Sequence, residues 1–362
     1  MILVKLKRVI KEKRFPDIKY WIKNYRKLII HERNSKTTFW NLISCDPIII
    51  YTMPFSEEYD SLYHELKGKK AIILKSNPWI PRNINQARVL KNETSIIQNN
   101  HKNLEFIYLC NEESESEILK SVGLNAHFCN QNCFIDENIF NIKKNIKKSY
   151  DALYDAQIVA YKRHQLAKDV SNLALNGYIS SITENQEYTS YVRENFKHFH
   201  WFQDPFKEKD QARFSEKEVS NFINKCRVGL CLSSEEGGMY ASTQYLLCGL
   251  PVVTTNNIGG RNTFFHPDYV YYAEDDSRDI AHGVEELKNR KLDPYYIRGE
   301  AIKIQKEHRD RFISIINEIL EKKSSYKKFT ESHWNDVFLN KMGQMKKNTL
   351  IKEEIQLMKS KY

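Results

Sequence analysis

The stretch SSEEGGMYASTQYLLCGLPVVTT, residues 233–255, decides the fold. An apolar run of strand length, VGLCL (228–232), leads into it, and Gly237 and Gly238 turn the chain. MYASTQYLLCG then reads as a helix and PVVTT as a second apolar strand. Strand, glycine turn, helix and strand make a βαβ unit, the building block of a parallel sheet. At such a turn the main-chain N–H groups and the positive end of the helix dipole face outward, which suits a phosphate. Two glycines let a ligand approach the backbone closely. Glu236 lies in the turn, and Gln244 stands eight residues on, about two helical turns along. Both belong at the carboxyl ends of the strands, where open α/β sheets bind their ligands. A Gly-Gly turn alone serves tight turning equally well.

Working outward, SEKEVSNFINKC (215–226) carries Ser215 and Glu218 at capping-box spacing, with Val219, Phe222, Ile223 and Cys226 on one face. Before it, DALYDAQIVAY reads as a strand, KRHQLAKDVSN as a helix start, LALNGYI as a strand and KHFHWF as another candidate. The first part of the chain alternates similarly. KLIIHER, DPIIIYTM, KAIILKS, LEFIYLC and LNAHFCNQNCFI are apolar runs of strand length. NEESESEILKSVGL predicts a short helix with an acidic first turn and a glycine stop. The polar, basic FNIKKNIKKSY (140–150) reads as a connection. The spacing therefore predicts an N-terminal Rossmann-like domain over 1–140 and a second over 148–325. Beyond that, a charged helical tail is expected over 326–362.

The 233–255 stretch resembles the donor-site signature of retaining GT-B glycosyltransferases, the glycosyltransferase group 1 or family 4-like enzymes. Ser233, Glu236, Gly237, Cys248, Gly249, Pro251, Val252 and Val253 fall on the pattern. The resemblance implies two Rossmann-like, doubly wound domains facing a central cleft, the first on the acceptor side and the second binding a nucleotide sugar. It assigns Glu236 to the donor sugar's hydroxyls, and the Gly237–Gly238 backbone, with Met239 beside it, to the diphosphate. The second acidic position, which holds the ribose, is Gln244 here. The family's Arg and Lys that neutralise the leaving diphosphate fall on Gln157 and Lys162, with Arg163 as a substitute for the missing Arg. Glu236 and Lys162 are thus the expected catalytic residues. The second glycine turn, NNIGGRNTFF, would line the donor pocket with Gly259, Gly260 and Arg261, although a loop with a surface Arg is an equal reading. His127 is the acceptor-side candidate.

On these grounds the expected reaction is transfer of a hexosyl unit from a UDP- or GDP-sugar to a carbohydrate or lipid-linked acceptor, with retention. No cofactor or metal is expected: there is no Asp-x-Asp pair, and the adjacent carboxylates of EDDS (274–277) sit where a solvated loop is predicted. A non-catalytic binding protein of the same fold is the alternative, motivated by Gln157 and Gln244.

Composition limits the other classes. In 362 residues, 41% are apolar and 28% charged, and no apolar run is long enough to cross a bilayer. The basic opening has no cleavage-site pattern of a secretory signal. Seven cysteines without a C-x-x-C pair point to a reduced, cytoplasmic protein. Of the net charge of +10, residues 1–30 carry +8: ten Lys/Arg against Glu12 and Asp17. Ile18, Trp21, Ile22, Tyr25 and Leu28 recur there at helical spacing. Such a segment packs on its own domain or lies on an anionic membrane surface. The latter suits a peripheral enzyme of polysaccharide or lipopolysaccharide assembly on the inner membrane face. The rest is near neutral, so no nucleic-acid partner is expected, a third reading resting on this basic segment alone.

Overall fold

The computed structural model describes residues 37–53, 60–76, 81–180, 185–206, 214–323, 328–338 and 344–360. The basic segment 1–30 and the strand expected at KLIIHER lie outside the described residues. The chain forms two compact units, one taking residues up to Phe134 and from Lys306 on, the other Ile135–Gln305.

In the first unit the order is β1 (Thr37–Cys45), β2 (Ile48–Thr52), α1 (Asp60–Glu65), β3 (Ala71–Ser76), α2 (Ile84–Asn100), β4 (Leu104–Cys110), α3 (Glu113–Ser121) and β5 (Ala126–Phe128). Strands β2 to β5 are parallel neighbours in sequence order, and β1 runs antiparallel to β2. Their near-continuous apolar runs follow from burial on both faces. One face carries Ile50, Ile73, Phe106 and Tyr108 against Leu62, Leu90, Ile97 and Leu119 of the three helices. Helix α3 has the acidic first turn expected, and the chain leaves it through Gly123 at φ +76°.

The second unit contains β6 (Tyr150–Asp155), β7 (Leu173–Asn176), α4 (Gln186–Phe196), β8 (His200–Trp201), α5 (Glu216–Asn224), β9 (Cys226–Cys231), α6 (Tyr240–Leu247), β10 (Val252–Thr255), β11 (Val270–Ala273) and α7 (Ser277–Asn289). All six strands are parallel, in the order β11-β10-β9-β6-β7-β8. The predicted βαβ unit is β9-α6-β10, and Ser215 and Glu218 form the predicted capping box on α5. The predicted helix start at 162–172 is different. Two single 3₁₀ turns, Ala160–Lys162 and His164–Ala167, flank Arg163, whose left-handed backbone (φ 56°, ψ 48°) interrupts any helical ladder.

The remaining elements are α8 (Pro294–Lys322), α9 (Glu331–Val337), β12 (Gln344–Lys347) and α10 (Leu350–Ser360). They correct the expected domain limits. From Lys306 the chain belongs to the first unit, and the unit boundaries fall at 134/135 and 305/306 rather than near 140–148 and 325. The second face of the first sheet, with Ile49, Tyr51, Ile72, Leu74 and Ile107, is covered by Phe134, Phe312, Ile316, Leu320 and Trp334. Nor are 326–362 a solvated helical tail. Strand β12 pairs antiparallel with β1, Thr37 opposite Lys347, and α10 buries Ile351 and Ile355 in the core beneath. The polar strand QMKK has no apolar alternation because it is a sheet edge, where lysines blunt further pairing.

Candidate functional site

In the second unit the chain leaves β6 towards β7 and β8 on one side, and returns to β9 on the other before continuing to β10 and β11. Strands β6 and β9 are therefore the topological switch point, the position at which open α/β sheets bind their ligands. Lys162 is in the loop after β6 and Glu236 in the loop after β9. The structure brings these two residues together, Lys162 Nζ in an ion pair and hydrogen bond with Glu236 Oε1, their side chains 13% and 12% exposed.

Main-chain bonds between three loops set this geometry. Ser234 N–H donates to the Tyr161 carbonyl (3.0 Å), joining the β9 loop to the β6 loop. Glu236 N–H donates to Ile258 O (3.0 Å), and Ile258 N–H to Ser234 O (3.2 Å), so the β9 loop also pairs with the β10 loop through a parallel bridge between Glu235 and Ile258. Gly259, at φ +122°, packs against the Glu236 carbonyl. Tyr154 lies fully buried beneath, its hydroxyl donating to the Lys162 carbonyl. Burial holds that phenol well above its ordinary pKa, so it stays a neutral donor. Lys162 Nζ also stands 5.2 Å from the Tyr161 ring centroid, within cation–π range.

Gly237 and Gly238 are buried in the turn, and α6 begins just beyond them at Tyr240, with no side chain capping it. The helix dipole's positive end thus begins a few residues after Glu236 in sequence. Gln244 is on α6 and 7% exposed. Gln157 is half-buried in the β6 loop, its carbonyl accepting from Val159 N–H (3.0 Å).

The side chains of three expected donor-site residues are buried or bonded within the unit. Met239 is a core residue, packed with Tyr245 and Leu246. Arg261 is neither a surface residue nor presented to solvent. It is completely buried, with NH1 donating to Ser233 O (2.9 Å) and NH2 to Thr255 O. Its Nε is buried without a hydrogen-bond partner among the described residues. Arg163 donates from Nε to Leu232 O (2.6 Å), from NH2 to Thr255 Oγ1 (2.5 Å) and from NH1 to Asp275 Oδ2 (2.6 Å). Both arginines therefore bind the carboxyl ends of β9 and β10. His164, next in the chain, is buried; desolvation, with Lys162 nearby, lowers its imidazole to about 3, and its ring contacts the Tyr188 hydroxyl.

Asp275 and Thr255 are the residues that sequence reasoning missed. Asp275 is 112 positions from its Arg163 partner, and no local pattern links them. In the first unit, His127 lies in β5 with Nε2 3.0 Å from Asn125 Oδ1, and burial lowers its pKa. Among the described residues, no three His, Cys, Asp or Glu converge as a metal site, and all seven cysteines are free and buried. No described helix is long and apolar enough to cross a membrane.

By sequence, the chain matches no protein-family model and none of the curated proteins. By structure it is similar to GT-B glycosyltransferases, and it has the GT-B fold. One is HepE of Anabaena in complex with UDP and glucose, at TM-score 0.50 and 12% identity, covering 76% of this chain and 77% of that one. A trehalose-6-phosphate synthase, studied with bisubstrate glycomimetics for glycosyl transfer with retention, gives 0.52 and 11% over 75% and 73%. The α,α-trehalose 6-phosphate synthase of Burkholderia multivorans gives 0.51 and 9% over 76% and 71%.

Proposed function

We propose that this protein is a glycosyltransferase that moves a hexosyl unit from a UDP- or GDP-sugar to a carbohydrate or lipid-linked acceptor, with retention and without a metal. The observation that carries the reading is the Lys162–Glu236 pair at the switch point of the second unit's parallel sheet. Glycosyl transfer breaks the bond between the sugar's C1 and the diphosphate and forms one from C1 to the acceptor's hydroxyl oxygen, whose proton passes to the departing phosphate. Charge then grows on the departing phosphate while the sugar becomes oxocarbenium-like. A site for this chemistry needs a cation and main-chain N–H groups at the phosphate, with a carboxylate at the sugar. Lys162, the Gly237–Gly238 turn at the start of α6, and Glu236 supply those groups. When donor binds, Lys162 exchanges the Glu236 carboxylate for the diphosphate, leaving Glu236 for the sugar hydroxyls. Gln244 is the ribose residue in this reading, an amide able to donate and accept one bond each. Retention is supported by the likeness to trehalose-6-phosphate synthase.

We place the acceptor on a lipid at the inner membrane face, in surface-polysaccharide or lipopolysaccharide assembly, because +8 of the net charge falls in residues 1–30. Co-sedimentation with anionic vesicles, abolished by deleting residues 1–30, supports that placement; a protein indifferent to such vesicles removes it.

The activity is tested with a panel of UDP- and GDP-hexoses, scored by release of the nucleoside diphosphate and by the anomeric configuration of the product. Turnover with retention, lost on Glu236→Ala, is expected. Binding of UDP by the parent protein without turnover of any donor would instead identify a non-catalytic binding protein.

A further inference from the structure

We propose that Arg163 is a positioning residue, whose guanidinium, anchored on the ends of β9 and β10 and on Asp275, holds the β6 loop in the turn that sets Lys162 against Glu236. The inference rests on the glycosyltransferase reading for the role of Lys162; the geometry stands without it.

Among the described residues, Arg163 is the one non-glycine residue with positive φ. A bulky L-residue persists there only when its surroundings over-determine it. At Arg163 they do. Its three bonds end on Leu232 O after β9, on Thr255 Oγ1 at the end of β10, and on Asp275 Oδ2 after β11. The two residues before it are held through their carbonyls, Tyr161 O by Ser234 N–H and Lys162 O by the Tyr154 hydroxyl. Residues 161–163 are thus pinned from beneath and from the side, which fixes the point from which the Lys162 side chain reaches Glu236.

The same bonds argue against Arg163 as a phosphate ligand. A bidentate phosphate contact needs an open edge of the guanidinium fork. Here three of the five guanidinium N–H groups already have acceptors, two of them at the strand ends, and the side chain is 14% exposed. Arg163 is therefore assigned to the loop rather than to the place of Gln157. It acts through Lys162.

Four variants of the full chain separate the two roles: Arg163→Gly, which keeps the left-handed backbone without strain, Arg163→Lys, Lys162→Ala, and Lys162→Ala with Arg163→Gly. A positioning role predicts that Arg163→Gly lowers kcat on the order of tenfold to a hundredfold. It also predicts that Arg163→Lys does not restore the rate, since charge without the fork cannot reach three acceptors. The double variant should be no slower than Lys162→Ala alone. Multiplying losses in the double variant, or full activity in Arg163→Lys, overturns the proposal in favour of a direct phosphate contact.

If Arg163→Gly folds poorly, Asp275→Asn removes the exposed anchor, and its smaller loss should vanish in the Lys162→Ala background. A parent protein without turnover would refute the glycosyltransferase reading and leave a crystal structure of ligand-free Arg163→Gly to decide. Residues 160–167 rearranged, with the Lys162–Glu236 contact broken, is the expected result; an unchanged loop rejects the positioning role.

Discussion

Gly259 and Glu236 are in contact through their main chains: a Cβ on Gly259 would stand 1.5 Å from the Glu236 carbonyl oxygen. No side-chain adjustment relieves that overlap, because both partners are backbone, and φ at Gly259 is +122°. The glycine is thus what lets the β10 loop lie along the β9 loop and present Glu236.

Gly259→Ala should therefore separate the two loops. We expect a loss of at least about 2 kcal/mol in the unfolding free energy, and turnover reduced to near background. Gly299→Ala is the control: it lies on α8 with nothing within 4 Å of an added Cβ, and it should stabilise by about 0.5–1 kcal/mol. Urea denaturation of both variants makes the comparison.

Lys162 and Glu236 should respond differently to UDP. Lys162→Ala should reduce the UDP-induced rise in melting temperature, because the cation facing the diphosphate is gone. Glu236→Ala should bind UDP at least as well as the parent, since it frees Lys162 from its internal partner, yet lose turnover by about 10²–10³-fold. A weaker UDP response in Glu236→Ala would contradict the exchange of partners.

Gln244→Glu introduces a carboxylate at a position 7% exposed. The ligand-free protein should lose about 1–3 kcal/mol from burying the charge. A ribose hydroxyl pair then supplies charge-assisted bonds that an amide does not, so the UDP-induced shift should exceed that of the parent. Calorimetric melting with and without UDP reads both effects.

Stability of the first unit should fall as pH rises from 6.5 to about 8. Burial raises Glu115 to about 8, although its carboxylate accepts from Asn111 N–H, with Glu112 raising it further and Arg82 lowering it. In that window the folded state holds the proton and the unfolded state, with a carboxyl near 4.5, does not. The stabilisation is complete below about 4.5 and is lost as pH passes the folded value. Glu112, raised by its own partial burial with Arg82 lowering it, acts in the same direction. His308, lowered to about 4 by burial, opposes this slope at the acid end of the window: it is neutral when folded, while the unfolded imidazole is still half-protonated at 6.5 and sheds that proton by about 8. Glu115→Gln should flatten most of the slope in unfolding curves taken at pH 6.5, 7.3 and 8.

Ile351→Ala should cost about 2–5 kcal/mol, because Ile351 is fully buried in the first unit's core. Leu357→Ala, 58% exposed on the same helix, should be nearly neutral. Equal effects of the two substitutions would mean that α10 does not dock.

Local pattern made much of this legible. The apolar runs around 228–232 and 252–255 and the glycine turn between them specified β9-α6-β10, and the Ser215–Glu218 spacing specified the start of α5. Glu236 could be named from its place in the turn at a strand's carboxyl end, and Lys162 from the resemblance of the stretch after the second domain's first strand to the glycosyltransferase pattern. The strand QMKK could not be seen, since an edge strand with one partner needs no apolar face. Nor could the helix break at Arg163, where tertiary hydrogen bonds override a helical composition.

The amino-acid sequence by itself determined that this is an α/β protein with a glycine turn directly after Glu236, because period, caps and glycine turns act within a few residues. Tertiary structure decided what each charged group near that turn meets. Arg163, Arg261 and Lys162 are alike in composition and close in expected role, yet two of the three are bound to the ends of β9 and β10, and the third meets Glu236. That division depends on carbonyls and carboxylates up to 112 residues away. Only the folded sheet brings such acceptors within hydrogen-bond reach.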